Sequence, residues 1–390
     1  MENKNTVIEA KIGNLNELTK VLSVKEQAQE QLLVVMKALG IGKIVRNLKF
    51  EKTQGYTLTS LFISLLIMRL WGKTIASATS NHFHGLCAVS KNTLYRALLN
   101  ARIDWRMLLT KITLRFHAIL QKHQVATNEH DTCAILDDTT FQKSGIRIEG
   151  VSKVFDHVTH SFIYGMKCLT LALSDGKSCY PIDFSLHREK GKKKDYGLTL
   201  KQRKEQFKEK RNAKNPDYAR KAECDESKLE MARRMLCHAV EHGINFKYVL
   251  ADSWFTCESL IQAVRELCGG SVHYIGLAKM NPKLRYQTSK SKHPQNIHEL
   301  IIRYERTASC YCRKYKCKYI QLHAKLGEQP IRIFIIKYGR STHWKVLLTT
   351  DTSMNFVRAF ELYERRWGIE VIFKECRGYL GLGKCQSRNY

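Results

Sequence analysis

The chain has 390 residues, with 65 Lys+Arg against 36 Asp+Glu, a formal charge of +29. That length suits two or three domains and a large buried core. The basic excess points to a polyanionic partner, most simply nucleic acid. The apolar fraction of 44% is that of a globular protein. No apolar run approaches the roughly 20 residues needed to span a bilayer; the longest, Leu61 to Leu70, contains Ser64 and Arg69. The start, Met1-Glu2-Asn3-Lys4, lacks the apolar core of a signal peptide. A cytosolic protein with no membrane partner is expected.

Residues 15–125 read as helical: glycine is sparse, proline is absent, and Leu and Ile recur every three or four residues. Within them, Ser90 is placed to cap a helix. That helix would carry Lys91, Asn92, Tyr95 and Arg96 outward and Leu94 and Leu98 inward, the layout of a DNA-recognition helix. Cysteines number thirteen, from Cys87 to Cys385, with no C-x-x-C pair, which reads as reduced, mostly buried thiols. Cys310, Cys312 and Cys317 cluster, but at a spacing that suits no common zinc module.

From Cys133 the pattern changes. Cys133 to Leu136 is a short apolar run that ends in Asp137-Asp138-Thr139, and strand-like runs follow at Phe162–Leu173 and Cys179–Leu186. Residues 188–221 carry fourteen Lys/Arg and five Asp/Glu, including Lys192-Lys193-Lys194. They read as a solvated, partly disordered insertion available to phosphates. A helix is expected over 226–242, a strand over Phe246–Ala251 and a helix over 257–268. The interval 272–350 is strand-rich, with runs at Tyr274–Ala278, Tyr315–Leu322, Ile331–Ile336 and Trp344–Leu348. The order implies an α/β core with a β-rich insertion, preceded by an all-α region.

The segment from Tyr363 to Arg377 has a helical period and no proline. At about 100° per residue, Tyr363, Arg366, Glu370, Lys374 and Arg377 fall within a sector of about 80°. Leu362, Ile369, Ile372, Phe373 and Cys376 share a different face, suited to a core. One face thus carries a phenol, a carboxylate and three cations, a set that suits a metal bound beside a polyanion.

Two aspartates end apolar strand runs in the same way: Asp137 follows Ala134-Ile135-Leu136, and Asp252 follows Val249-Leu250-Ala251. Ligand sites in open α/β sheets form at such strand ends. With Glu370 they make a candidate acidic triad, able to hold two hard divalent cations for phosphoryl displacement. Asp138 remains an alternative for the first carboxylate.

These residues resemble the three blocks of DDE insertion-sequence transposases, and within them the large bacterial insertion-sequence-four group. The blocks are Asp137-Asp138-Thr139, Asp252-Ser253-Trp254-Phe255 and the segment Tyr363 to Arg377. The group's helix signature is Tyr, Arg three residues on, Glu four further and Lys seven further. Tyr363, Arg366 and Glu370 match it, and Arg377 stands where the group has lysine. Arginine forks onto phosphate differently, which alters that contact. The resemblance covers about residues 130–390, with the helix motif its most specific part.

It implies a ribonuclease-H-like catalytic domain over 126–390, with a basic insertion at 188–221 and a β-rich one at about 272–350. Residues 1–125 would be the helical domain that binds terminal inverted repeats, with Lys91 and Arg96 on DNA. Asp137 (preferred to Asp138 because the family block reads Asp-x-Thr), Asp252 and Glu370 would be the catalytic metal ligands, for Mg²⁺ at a two-metal site with Mn²⁺ as substitute. Tyr363, Arg366, Lys374 and Arg377 would grip the transposon-end phosphates. Trp344 would stack a flipped base, whereas Trp254 and Trp367 would pack the core. The expected partners are double-stranded DNA, at transposon ends and target, and a second copy of the chain. The setting would be the bacterial cytoplasm, at the nucleoid. Family members usually continue with further helices, whereas here Tyr390 is twenty residues after Glu370; a compact or truncated copy is implied. A truncated, inactive end-binding fragment and a ribonuclease-H-like host nuclease or resolvase are the alternatives.

Overall fold

The computed structural model describes residues 27–28, 30–48, 55–78, 89–123, 131–189, 191–339, 341–385 and 387. The expectations for Met1–Lys4, for Cys87, and for the helical region at 15–26, 49–54, 79–88 and 124–130 lie outside the described residues. The chain forms two compact units.

One unit comprises residues 1–116, 211–217 and 375–385. Among the described residues its helices include α1 (Ile41–Arg46), α2 (Leu58–Leu70), α3 (Ile75–Ala78), α4 (Lys91–Leu98) and the first part of α5 (Trp105–Lys122). Leu61 and Met68 of α2 pack with Ile75, Val89, Leu94 and Ala97 in one apolar cluster. Met36, Ile41, Val45 and Leu108 form a second. Ser90 caps α4, its hydroxyl accepting from the Thr93 amide. Leu94 is fully buried as expected, but Leu98 is 40% exposed. Ala97 takes the inward place, because the buried stripe runs i, i+3 here.

The other unit comprises residues 117–210, 218–374 and 386–390 and is mixed α/β. Eleven strands form one mixed sheet: β1 (Cys133–Gln142), β2 (Ser152–Asp156), β3 (Ser161–Ser174), β4 (Cys179–His187), β5 (Tyr248–Ala251), β6 (His273–Ala278), β7 (Gln287–Thr288), β8 (Ser309–Cys312), β9 (Cys317–Leu326), β10 (Gln329–Tyr338) and β11 (Trp344–Thr349). The main order is β2-β3-β1-β5-β6-β11-β10-β9-β7, with β4 on β3 and β8 on β9. β1, β5 and β6 are parallel to one another. Their residues 133–136 and 248–251 are buried without alternation. That is the mark of strands covered on both faces.

The remaining helices are α6 (Leu200–Lys204), α7 (Pro216–Glu223), α8 (Lys228–Glu241), α9 (Glu258–Glu266), α10 (Ile297–Tyr304), α11 (Phe356–Glu364) and α12 (Trp367–Tyr379). α8 opens with a Ser227/Glu230 capping box. It buries Met231, Ala232, Met235, Leu236 and Ala239 along one stripe. α9 provides the crossover from β5 to β6.

Three expectations change. The β-rich interval extends the core sheet through β11, β10 and β9 instead of standing apart, because β11 pairs with β6. The basic segment carries two short helices and is anchored by buried Arg188, Leu198 and Gln206. Tyr363–Arg377 is not one helix. α11 ends at Glu364 and α12 starts at Trp367, joined by i→i+3 bonds from Arg365 N–H to Leu362 and Arg366 N–H to Tyr363.

Candidate active site

β1 and β5 lie side by side, with Leu136 opposite Ala251 in parallel register. Asp137, expected at a strand end, lies midway along β1, and Asp252 is the first residue past β5, so the fold carries both carboxylates to one level of the sheet where β5 stops. β1 continues to Gln142 while β5 stops at Ala251, which leaves the β5-side edge of β1 open at this point.

Successive strand residues face opposite sides, and that separates the two candidate aspartates. Asp137 accepts the Arg366 guanidinium, Nη1 to Oδ2, at 2.9 Å. Asp138 turns the other way and pairs with Lys228, the first residue of α8, at 2.6 Å. Arg366 also donates to Glu370, four residues on. One half-buried guanidinium therefore ties the first aspartate to the glutamate. Burial pushes the Asp137 carboxyl up to about 7, against the pull of Arg366 and the Asp138 amide. The nearby Asp252 charge adds to the rise.

Asp252 sits in a tight turn. Its Oδ1 accepts the Trp254 amide at 2.9 Å, and its carbonyl accepts the Phe255 amide at 3.2 Å. Thr256 closes the turn: its hydroxyl lies 2.9 Å from the Tyr274 hydroxyl and also bonds the Leu277 carbonyl. Tyr363 packs beneath Arg366, whose guanidinium lies 5.8 Å from the ring centre. Burial raises the Tyr363 hydroxyl to about 12, so it stays protonated at neutral pH. A cavity of about 480 Å³ adjoins this cluster, walled by Leu277, Leu347 and Phe360 and edged by Tyr363, Arg366 and Trp367.

The α11–α12 turn is pinned to β1. Arg365 Nη1 donates to the Asp131 carbonyl at 2.6 Å, and Arg358 pairs with the Asp131 carboxylate. Gly368 allows close approach to β4: a Cβ there would meet Cys179 Cβ and Sγ at 2.9 Å.

The structure brings Asp137, Asp252, Tyr363, Arg366 and Glu370 together. Lys374 and Arg377 are exposed on α12, and Lys91 and Arg96 are exposed on α4. Trp344 opens β11 opposite Lys337, whose ammonium is 5.1 Å from its ring. It does not line the cavity; its neighbour Lys345 does. Trp254 and Trp367, expected in the core, are 43% and 64% exposed. Trp254 lies in the turn after β5 and Trp367 opens α12. Lys228, Thr256, Arg358 and Arg365 were not singled out from sequence, because their partners lie far away in the chain or one turn off any motif.

A family model described as DDE superfamily endonuclease matches residues 62–296, more than half the chain. The chain belongs to the DDE superfamily of endonucleases. A second model, transposase DDE domain, matches residues 219–390, a span that holds Asp252 and Glu370. No curated protein matches the chain.

DDE endonucleases are in general metal-dependent. Among the described residues no three His, Cys, Asp or Glu side chains stand close enough to hold a metal ion as they are placed. The donor set nonetheless fits a hard divalent cation. It is all oxygen, its strands deliver two carboxylates together, and Asp137 and Glu370 already share one cationic group. Among the described residues no helix is long and apolar enough to cross a membrane.

Proposed function

We propose that this DDE endonuclease is the transposase of a bacterial insertion sequence of the insertion-sequence-four group, with a ribonuclease-H-like core. The observation that supports it best is the level placement of Asp137 and Asp252, with Glu370 joined to Asp137 through Arg366. Asp138, engaged by Lys228 on the opposite face, is the weaker candidate for the first ligand.

In this reading residues 1–125 bind the terminal inverted repeats, with Lys91 and Arg96 on the DNA. The catalytic domain is 126–390, and a homodimer handles two ends. Asp137, Asp252 and Glu370 hold Mg²⁺, which supplies activation of the attacking oxygen and stabilisation of the leaving one. Water adds to the phosphorus at the element boundary, and the 3′-oxygen leaves with a proton. The freed 3′-hydroxyl then attacks a target phosphodiester, so one P–O bond replaces another without a covalent protein intermediate. Arg366, Lys374 and Arg377 neutralise phosphates. Tyr363, kept as a neutral phenol by burial, donates a hydrogen bond to one.

The test is nicking of labelled DNA that carries the flanking inverted repeat, with Mg²⁺, comparing the chain with Asp252→Ala and Glu370→Ala. Boundary-specific nicks lost in both variants support the reading. Repeat-specific binding with no nicking by any version would point instead to an inactive end-binding protein. Cleavage that ignores the repeat and never joins strands would indicate a host nuclease.

A further inference from the structure

Trp254 is fixed in an unusual way for an exposed side chain. One face of its indole is covered by the Lys228 ammonium, 4.3 Å from the ring centre. Lys228 is itself held by Asp138 at 2.6 Å, and its side chain is only 13% exposed. Phe255, 1% exposed, meets the indole edge-on at 4.9 Å. The Trp254 amide is committed to the Asp252 carboxylate. The ring is therefore locked on one face, along one edge and through its backbone.

A cation at the first position of α8 opposes the positive end of the helix, so Lys228 costs the helix something there. Its interactions are spent on Asp138 and the indole. What they yield is a rigid aromatic surface, two residues past a candidate catalytic carboxylate, backed by positive charge.

We propose that Trp254 is a stacking platform for an unpaired nucleobase at the strand end being cut, with Lys228 bracing the ring from behind. This rests on the DNA-cleavage reading above. Base–aromatic stacking is tolerant of sequence, since every base has a π-face. Bases within a duplex already stack on each other, so the platform selects a nucleotide that has left its pair. The DNA would then be parted next to Asp252, which would leave the scissile phosphate less hindered. The site is separate from Trp344, which sits on β11 across the sheet from β5, beyond β6.

The experiment is equilibrium binding of the full chain by fluorescence anisotropy, without divalent metal so that nothing is cut. Two DNAs share one sequence: a blunt duplex, and the same duplex with one unpaired terminal 2-aminopurine. The unpaired form is expected to bind about tenfold tighter, with the 2-aminopurine emission quenched on binding. Trp254→Ala loses both the preference and the quench, Trp254→Phe keeps part of each, and Lys228→Met reduces the preference. Tyr311→Ala, an exposed aromatic on β8, is the control and changes neither. A wild-type chain that binds both DNAs equally, or a Trp254→Ala chain that keeps preference and quench, overturns the platform alone. A chain that binds neither DNA overturns the cleavage reading and the platform with it.

Discussion

Arg366 donates to Asp137 at 2.9 Å, and its other terminal nitrogen donates to Glu370. Two of the three proposed metal ligands thus hold a cation supplied by their own chain. A divalent ion must compete with that guanidinium, and phosphate is the acceptor best able to draw it away. Arg366→Ala should therefore bind Mn²⁺ more tightly in the absence of DNA, on the order of tenfold, since a charge-assisted hydrogen bond no longer has to be broken. Nicking should fall because the phosphate contact is gone. Calorimetric titration with Mn²⁺ at pH 8 checks the first point. Unchanged or weaker Mn²⁺ binding would show that Arg366 supports the carboxylates and does not compete for them.

Asp137 gives a pH signature with a definite sign. Its carboxyl is raised from 3.8 to about 7 by burial. Between those values the folded chain binds the proton and the unfolded chain does not. Its contribution to stability is complete below the unfolded value and is lost as pH rises through about 7. Urea unfolding of wild type against Asp137→Asn should show the wild type losing ground between about pH 4 and pH 7, with a flatter dependence in the variant. Divalent affinity should move in the opposite direction, rising with pH and levelling above about 7, because binding expels that proton. Parallel pH profiles for the two chains would contradict the placement of Asp137 in a buried, proton-holding site.

The acidic residues were legible because their neighbours carry strong local signals. Apolar runs that stop at Asp137 and Asp252 mark two buried neighbouring strands, although only β5 ends there while β1 continues to Gln142, and the Tyr-Arg-Glu spacing marks one helix-like face. β10 and β11 were legible as dense runs of β-branched and aromatic residues, whereas β9 carries only Tyr319 and Ile320 of that kind and was read four residues short at its end. Short elements such as β2 and β8 were not, because 5 and 4 residues give too little periodicity. The break at Arg365–Arg366 was hidden because nothing in the sequence forbids a continuous helix there. The ties of Arg358 and Arg365 to Asp131 span more than two hundred residues, and no spacing rule reports such contacts. Nor does sequence say which of two adjacent aspartates faces the cleft; strand register and the partner of each decide that.

Gly368 is a packing glycine. An added Cβ would lie 2.9 Å from both Cys179 Cβ and Sγ, so α12 or β4 must shift. Gly368→Ala should cost about 1–3 kcal/mol, as overpacking does. It should also impair nicking, because Arg366 and Glu370 flank this contact. Cys179→Ala should restore only part of the loss in the double variant, since it removes the sulfur and leaves the equally close Cβ. Full restoration would mean that the sulfur alone is the obstacle. Chemical unfolding of the two single variants and the double variant separates these outcomes.

The basic segment at 188–221 is held by Arg188, whose guanidinium makes a forked pair with Asp225 at 2.8 and 2.7 Å. Its third nitrogen reaches Gln206 Oε1 at 2.9 Å. Gln206 in turn donates to the Ile146 and Val151 carbonyls. Arg188 is 6% exposed, so removing it leaves the buried Gln206 oxygen without its donor, while Asp225, a third exposed, keeps water and Arg203 at 3.9 Å. Arg188→Ala should cost about 1–3 kcal/mol. Arg188→Lys should recover little, because a point charge cannot satisfy both Asp225 oxygens and Gln206 at once. Trypsin would then cut at Lys192–Lys194 and Lys201 faster than in the wild type, while cutting elsewhere in the chain keeps its rate. Should Arg188→Ala leave both the unfolding midpoint and the digestion pattern unchanged, the segment is held by its apolar contacts at Leu198 and not by this fork.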